Sequence, residues 1–188
     1  VTAQGVPYFM GEYENFLLAR ASAIRDLGSD VGLKKLGVRF VRDTATFNYS
    51  YNFDWMGRPI IQVPQDIMAM QELIWRVKPD LIIETGIAHG GSLAMSASML
   101  ALLDYSDAVS GKTIVDPSKS KRKVLGIDID IREHNRLAIE QHPMSHLIQM
   151  IQGSSIEPEI VQEVQKVAKD YQQILVCLDS NLSLIHIS

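Results

Sequence analysis

The chain has one cysteine, Cys177, among 188 residues. No internal disulfide can brace it, and the flanking run ILVCL predicts a small packed hydrophobe at this position. Long apolar runs are lacking: none reaches the roughly 18 residues of a membrane span, and the first residues carry no signal-peptide pattern. A cytoplasmic setting without a transmembrane segment is therefore expected. Charge of one sign is also scarce, with 18 Lys and Arg against 22 Asp and Glu, a net charge of −4 and a pI near 5.7. That balance offers no electrostatic footprint for nucleic acid. The short basic cluster Lys119, Lys121, Arg122 and Lys123 reads as a solvated loop. Aromatic residues make up only 7%, and there is no internal repeat or low-complexity tract, but 46% hydrophobic residues suffice for the core of roughly one domain.

Apolar periodicity predicts the organisation. Phe16, Leu17, Ala19, Ile24 and Leu27 have helical spacing within Glu12 to Leu27, with Gly28 as a stop. Val38 to Val63 mixes aromatics, Asn, Gly57 and Pro59, and predicts an irregular segment lying against the core. Pro64 opens a helix with Asp66 in its first turn and Ile67, Met70, Ile74 and Val77 on one face, ending before Pro79. From there strands and helices alternate: a strand ending at Glu84, a helix over Ser92 to Leu103, and a long polar connection from Asp104 to Lys121. Strand Val124 to Ile127, a helix near Glu133 to Glu140, strand Leu147 to Ile151, a helix near Glu159 to Lys169 and strand Ile174 to Leu178 follow. Such alternation predicts an α/β fold, a Rossmann-like doubly wound parallel sheet with right-handed crossovers.

The stretch PDLIIETGIAHGGS, Pro79 to Ser92, places an acid and a glycine loop after an apolar strand. In an open parallel sheet the carboxyl edge of the strands is where ligands bind. The dinucleotide fingerprint needs a middle glycine so that the backbone can approach a pyrophosphate. Here Gly86, Ala88 and Gly91 fill the three places, and Asp128 lies farther along the chain than that fingerprint's acid. A ligand without phosphates fits better. S-adenosylmethionine presents a cationic end to Glu84, a carboxylate to loop N–H groups and a ribose diol to a second acid. Four strands end in polar residues on one rim: Glu84, Asp128, the pair Gly153 and Ser154, and Asp179. Ser154 and Glu157 also have capping-box spacing, which offers a turn and cap as the alternative.

The stretches WMGRPIIQVPQDIMAMQELIWRVKPDLIIETGIAHGGS, VLGIDIDIREHN and ILVCLDSN resemble the family that joins cephalosporin hydroxylases with rhamnosyl O-methyltransferases, over roughly Phe53 to Asn181. The resemblance implies a class I S-adenosylmethionine-dependent methyltransferase core acting on a hydroxyl of a sugar, glycolipid or secondary metabolite. It implies Glu84, Gly86, Gly90 and Ser92 around the methionine part of the cofactor, Asp128 on the ribose hydroxyls with Asp130 as runner-up, and Gly153 and Ser154 beside the adenine. It further implies Asp179 as a ligand of a divalent metal, with Mg2+ the natural choice. No general base is assigned; His89 is a candidate whose loop position packing explains equally, and His134 and His142 are expected in solvent. Expected partners are a small-molecule or glycan acceptor and a second copy of the chain.

Three divisions follow: residues 1–63 as an accessory helix and irregular segment, residues 64–181 as a partial cofactor-binding domain, and residues 182–188 apart from both. The last seven residues, LSLIHIS, match a translation of a transposon-end sequencing adapter and are expected to be an artefact. Together with an initial valine this implies a truncated chain, itself inactive and prone to aggregation. Competing readings are a nicotinamide-dependent oxidoreductase or hydroxylase component, and a silent subunit that keeps the cofactor.

Overall fold

The computed structural model describes residues 5–179, with side chains from residue 11; the reading of residues 182–188 lies outside the described residues. Contacts divide the chain into two units, one up to Tyr49 and one from Ser50 onward. The first holds α1 (Gly5–Ser29) and α2 (Val31–Ala45). Gly28 falls inside α1, so the stop comes later than expected. Asp30 provides it: its carboxylate accepts from Leu33 N–H at 2.8 Å and caps α2.

The second unit begins with a hairpin, β1 (Phe53–Trp55) and β2 (Arg58–Ile60), followed by α3 (Pro64–Val77) and β3 (Leu81–Thr85). Then come α4 (Gly91–Gly111), β4 (Lys123–Asp128), α5 (Glu133–Glu140), β5 (Ile148–Gln152), α6 (Pro158–Ala168) and β6 (Ile174–Leu178). Three expectations are corrected. Val38 to Val63 is not irregular throughout: α2 runs to Ala45, and Met56 and Gly57, with φ of 48° and 81°, make a two-residue turn of the kind that suits strand twist. The polar connection is shorter than Asp104 to Lys121, because α4 continues to Gly111 and closes on Lys112 in the left-handed conformation. Arg122 is no solvated cation: it bonds Asp104, and Asp107 at 2.7 Å, tying the loop back to that helix.

The four core strands pair in parallel in the order β5-β4-β3-β6. The first two crossovers step in one direction and the third jumps back across β3, so the winding reverses between β3 and β6. Burial shows both faces in use. Ile82 and Val124, with Leu175 packed against them, join Ile74 of α3, Leu93 and Leu100 of α4 and Ile139 of α5 on one face. Leu81, Ile83, Leu125, Ile127 and Ile151 meet Ile160, Val164 and Val167 of α6 on the other. This is the doubly wound α/β sheet that the alternation predicted, and its reversal opens a crevice at the carboxyl ends of β3 and β6.

Candidate functional site

The rim forms because each strand hands its last ladder bond to the next segment. Gly86 N–H donates to Ile127 O at 2.8 Å, Gly153 N–H to Asp128 O at 2.8 Å, and Asp179 N–H to Thr85 O at 3.0 Å. Around the reversal lies a cleft of about 760 Å³, lined by Gly86, Ser92, Asp128, Gly153, Ser154 and Asp179, with Tyr51, Pro59 and His89 on its walls. Its size lies within the usual range for small-molecule sites. Six of the eight residues singled out from the sequence thus meet around one space, and Glu84 and Gly90 do not face it. Gly90 is buried at the start of α4, with φ of 82°, and a Cβ there would strike Ile139 at 2.4 Å. Ser154 is no capping residue: its carbonyl accepts from Glu157 N–H in a turn, and α6 starts at Pro158 with no side-chain cap.

Asp128 is half-buried and already bonded. One oxygen accepts from Ile87 N–H at 2.7 Å and Ala88 N–H at 3.4 Å, and the other from Asp130 N–H at 3.1 Å. A carboxylate has about four acceptor sites, so capacity remains on the cleft side. Asp130 itself is exposed and absent from the cleft wall.

Glu84 is 2% exposed, and Ser92 Oγ donates to it. Burial pushes its carboxyl pKa up to about 7, the Ser92 hydroxyl opposes that shift, and the Asp179 charge adds to it. It lines a smaller hollow of about 220 Å³, shared with Ile67, Met70, Met95 and Cys177, that adjoins the cleft at Ser92 and Asp179. Burial raises the Asp179 pKa, a bond from Gln62 Nε2 lowers it and Asp66 raises it. Cys177 packs beside Met70, its sulfur 3.9 Å away, and burial, with Glu84 and Asp179, pushes its thiol up to about 12. A packed cysteine is what the sequence led one to expect.

Sequence reasoning missed the residues behind the loop. Arg58 of β2 donates through Nε to His89 O at 2.9 Å, and through Nη2 to the same oxygen and to Asn135 Oδ1 at 3.2 Å. Asn135 Nδ2 donates to Ala88 O at 2.9 Å. Ala88 itself has φ of 45°, a left-handed conformation costing about 1–2 kcal/mol for a residue with a Cβ. Arg58 in GRPI and Asn135 in REHN lie within stretches that carry the family resemblance, but neither was singled out as a site residue, and only their tertiary meeting reveals the contact. His142 also departs from expectation: it is 8% exposed, with Nε2 3.1 Å from Met56 O and Nδ1 accepting from Met144 N–H. His134 is exposed.

The family model described as Rhamnosyl O-methyltransferase/CmcI matches residues 47–188. The chain belongs to this family. Among curated proteins, none matches it. Solved structures similar to it include a CmcI structure described as Mg-SAM, 17% identical, with a TM-score of 0.48 over 70% of this chain and 47% of that one. A CmcI structure with SAH is 18% identical, with a TM-score of 0.42 over 69% and 53% of the two chains. The methyltransferase domain of bacterial CtHen1-C is 21% identical, with a TM-score of 0.30 over 50% and 41%. The chain spans about half the length of the CmcI structures it matches. The region matched by the family model contains the hairpin, the rim and the cleft.

Proposed function

We propose that this chain carries the cofactor-binding part of an S-adenosylmethionine-dependent O-methyltransferase, whose acceptor is a hydroxyl of a sugar, glycolipid or other secondary metabolite. The observation that carries the reading is the meeting of Gly86, Ser92, Asp128, Gly153, Ser154 and Asp179 around one cleft at the reversal of the sheet, in a chain of this family. Asp128 uses its remaining acceptor sites for the ribose diol, and Gly153 and Ser154 border the adenine. Ser92 receives the amino-acid end from the cleft, and Glu84 acts behind it from the adjoining hollow by accepting from the Ser92 hydroxyl. The N-terminus of α4, capped by Gly90 with no side-chain bond, suits the carboxylate of that end.

When bound, the cofactor supplies a methyl group already activated on a sulfonium. The protein's part is to align the acceptor oxygen behind that methyl, exclude water and take the acceptor's proton. Of the titratable groups that line the cleft, we assign His89 and Asp179 to take that proton, Asp128 being reserved for the ribose. For magnesium the fit is incomplete. Asp179 contributes one carboxylate, and the described residues contain no group of three His, Cys, Asp or Glu side chains able to hold a metal ion. No helix among the described residues is long and apolar enough to cross a membrane, and a cytoplasmic setting suits the cofactor.

Calorimetric titration tests the assignment. S-adenosylmethionine is expected to bind, with at least a tenfold loss in Asp128→Ala, while NAD gives no heat. NAD binding in its place would move the chain to the oxidoreductase reading.

A further inference from the structure

We infer that Arg58 and Asn135 form a clamp that sets the conformation of the cofactor loop, which makes Arg58, on a hairpin outside the doubly wound sheet, a positioning residue for the cleft. The inference rests on the cofactor reading proposed above. Gly86, Ala88 and Gly90 of the loop have φ of 92°, 45° and 82°, and the middle one carries a methyl. A strained conformer at a residue with a Cβ persists only when its surroundings over-determine it.

Here it is held from two sides. On the strand side Asp128 takes the N–H groups of Ile87 and Ala88. On the other side Asn135 Nδ2 holds the Ala88 carbonyl and Arg58 holds the His89 carbonyl, and the two clamp residues are joined through Arg58 Nη2 and Asn135 Oδ1. Ala88 and His89 line the cleft, whereas Arg58 and Asn135 do not. Both carbonyls are therefore bonded to groups behind the loop. A trans peptide puts its N–H opposite its C=O, so fixing the Ala88 carbonyl on Asn135 turns the His89 N–H away from the clamp. A loop freed of the clamp can rotate that peptide and bring a carbonyl oxygen toward an anionic ligand group, which repels it.

Burial supports a specific role for the pair. Asn135 is 5% exposed in the first turn of α5, where an unpaired buried amide is costly. Its side chain is accommodated because its amide nitrogen binds the loop and its oxygen accepts from Arg58. The hairpin is itself located by Gly91, the first residue of α4, where a Cβ would lie 2.2 Å from Pro59 O. Arg58 thus reaches the loop from a fixed base.

The test compares the whole chain with Arg58→Met, Arg58→Lys and Asn135→Ser, reading S-adenosylmethionine affinity by calorimetry well below each melting temperature. Hydrogen exchange at residues 86–92 is read without ligand. Arg58→Met and Asn135→Ser are expected to weaken binding at least tenfold and to speed exchange in the loop at least tenfold. Arg58→Lys, which keeps the charge but fewer donors, is expected to fall between and remains informative if Arg58→Met does not fold. A lowered melting temperature with wild-type affinity would overturn the clamp, as would unchanged loop exchange in Arg58→Lys and Asn135→Ser. If the wild-type chain binds no S-adenosylmethionine, the cofactor reading fails by itself, and exchange in the loop decides the clamp separately.

Discussion

At the scale of the residue, Glu84 shows how position changes the meaning of a side chain. As a letter at the end of an apolar strand it reads as a carboxylate ready for a cation. In the fold it is buried against Ser92, with a pKa near 7. A folded-state pKa above the unfolded value of 4.5 means that the folded protein binds the proton more tightly. The resulting stabilisation is present in full below pH 4.5 and is lost as pH rises through 7. Glu84→Gln is therefore expected to match the wild type near pH 4 and to exceed its stability at pH 8, by up to about 3 kcal/mol, measured by urea unfolding at both values. Equal stabilities at pH 8 would contradict the burial argument. Cys177 gives a second prediction: with its thiol pushed up to about 12, a disulfide reagent at pH 8 should modify it only at the rate of unfolding, whereas rapid native-state labelling would show an accessible thiolate.

At the scale of the element, the β1–β2 hairpin and α4 act together. Trp55 Nε1 donates to Ser98 Oγ at 3.0 Å, Ile60 is buried in the core, and the Pro59 backbone abuts Gly91. Gly91→Ala places a methyl against a carbonyl that has no free rotation. It is expected to cost about 1–3 kcal/mol, measured by thermal unfolding, and to weaken cofactor binding because Arg58 moves with the strand. An unchanged melting temperature would show that the hairpin gives way easily. The strands were legible because Leu81 to Ile83, Val124 to Ile127 and Ile174 to Leu178 are apolar runs with polar ends. The hairpin was not, because three-residue strands leave too little alternation to read, although Met56 and Gly57 carry a turn signal. The far half of α4 was also missed, since Asp104 and Asp107 resemble loop residues until Arg122 is seen to bind them.

At the scale of the molecule, β6 lies at an edge of the described sheet and is covered on one face. Leu175 and Cys177 pack toward α3, whereas Ile174, Val176 and Leu178 are 38%, 55% and 66% exposed on the other face. Apolar edge strands with open hydrogen-bonding groups favour association. Val176→Lys is expected to reduce concentration-dependent self-association in sedimentation runs while leaving the melting temperature within a few degrees. Equal association in both proteins would show that this row is not the contact.

Sequence alone determined the alternation of elements, the parallel sheet and the rim acids, because apolar runs and polar stops are local properties of a chain. It singled out Asp128, Gly153 and Asp179 because each follows an apolar strand. Only the tertiary structure decided that Glu84 turns from the cleft into a buried hollow, that His142 is enclosed, and that Arg58 and Asn135 meet across 77 residues behind the loop. The facing of a rim side chain depends on which strand lies beside it and which helix lies over it. Bonds between distant polar residues leave no period in the sequence, because neither partner has a pattern of its own.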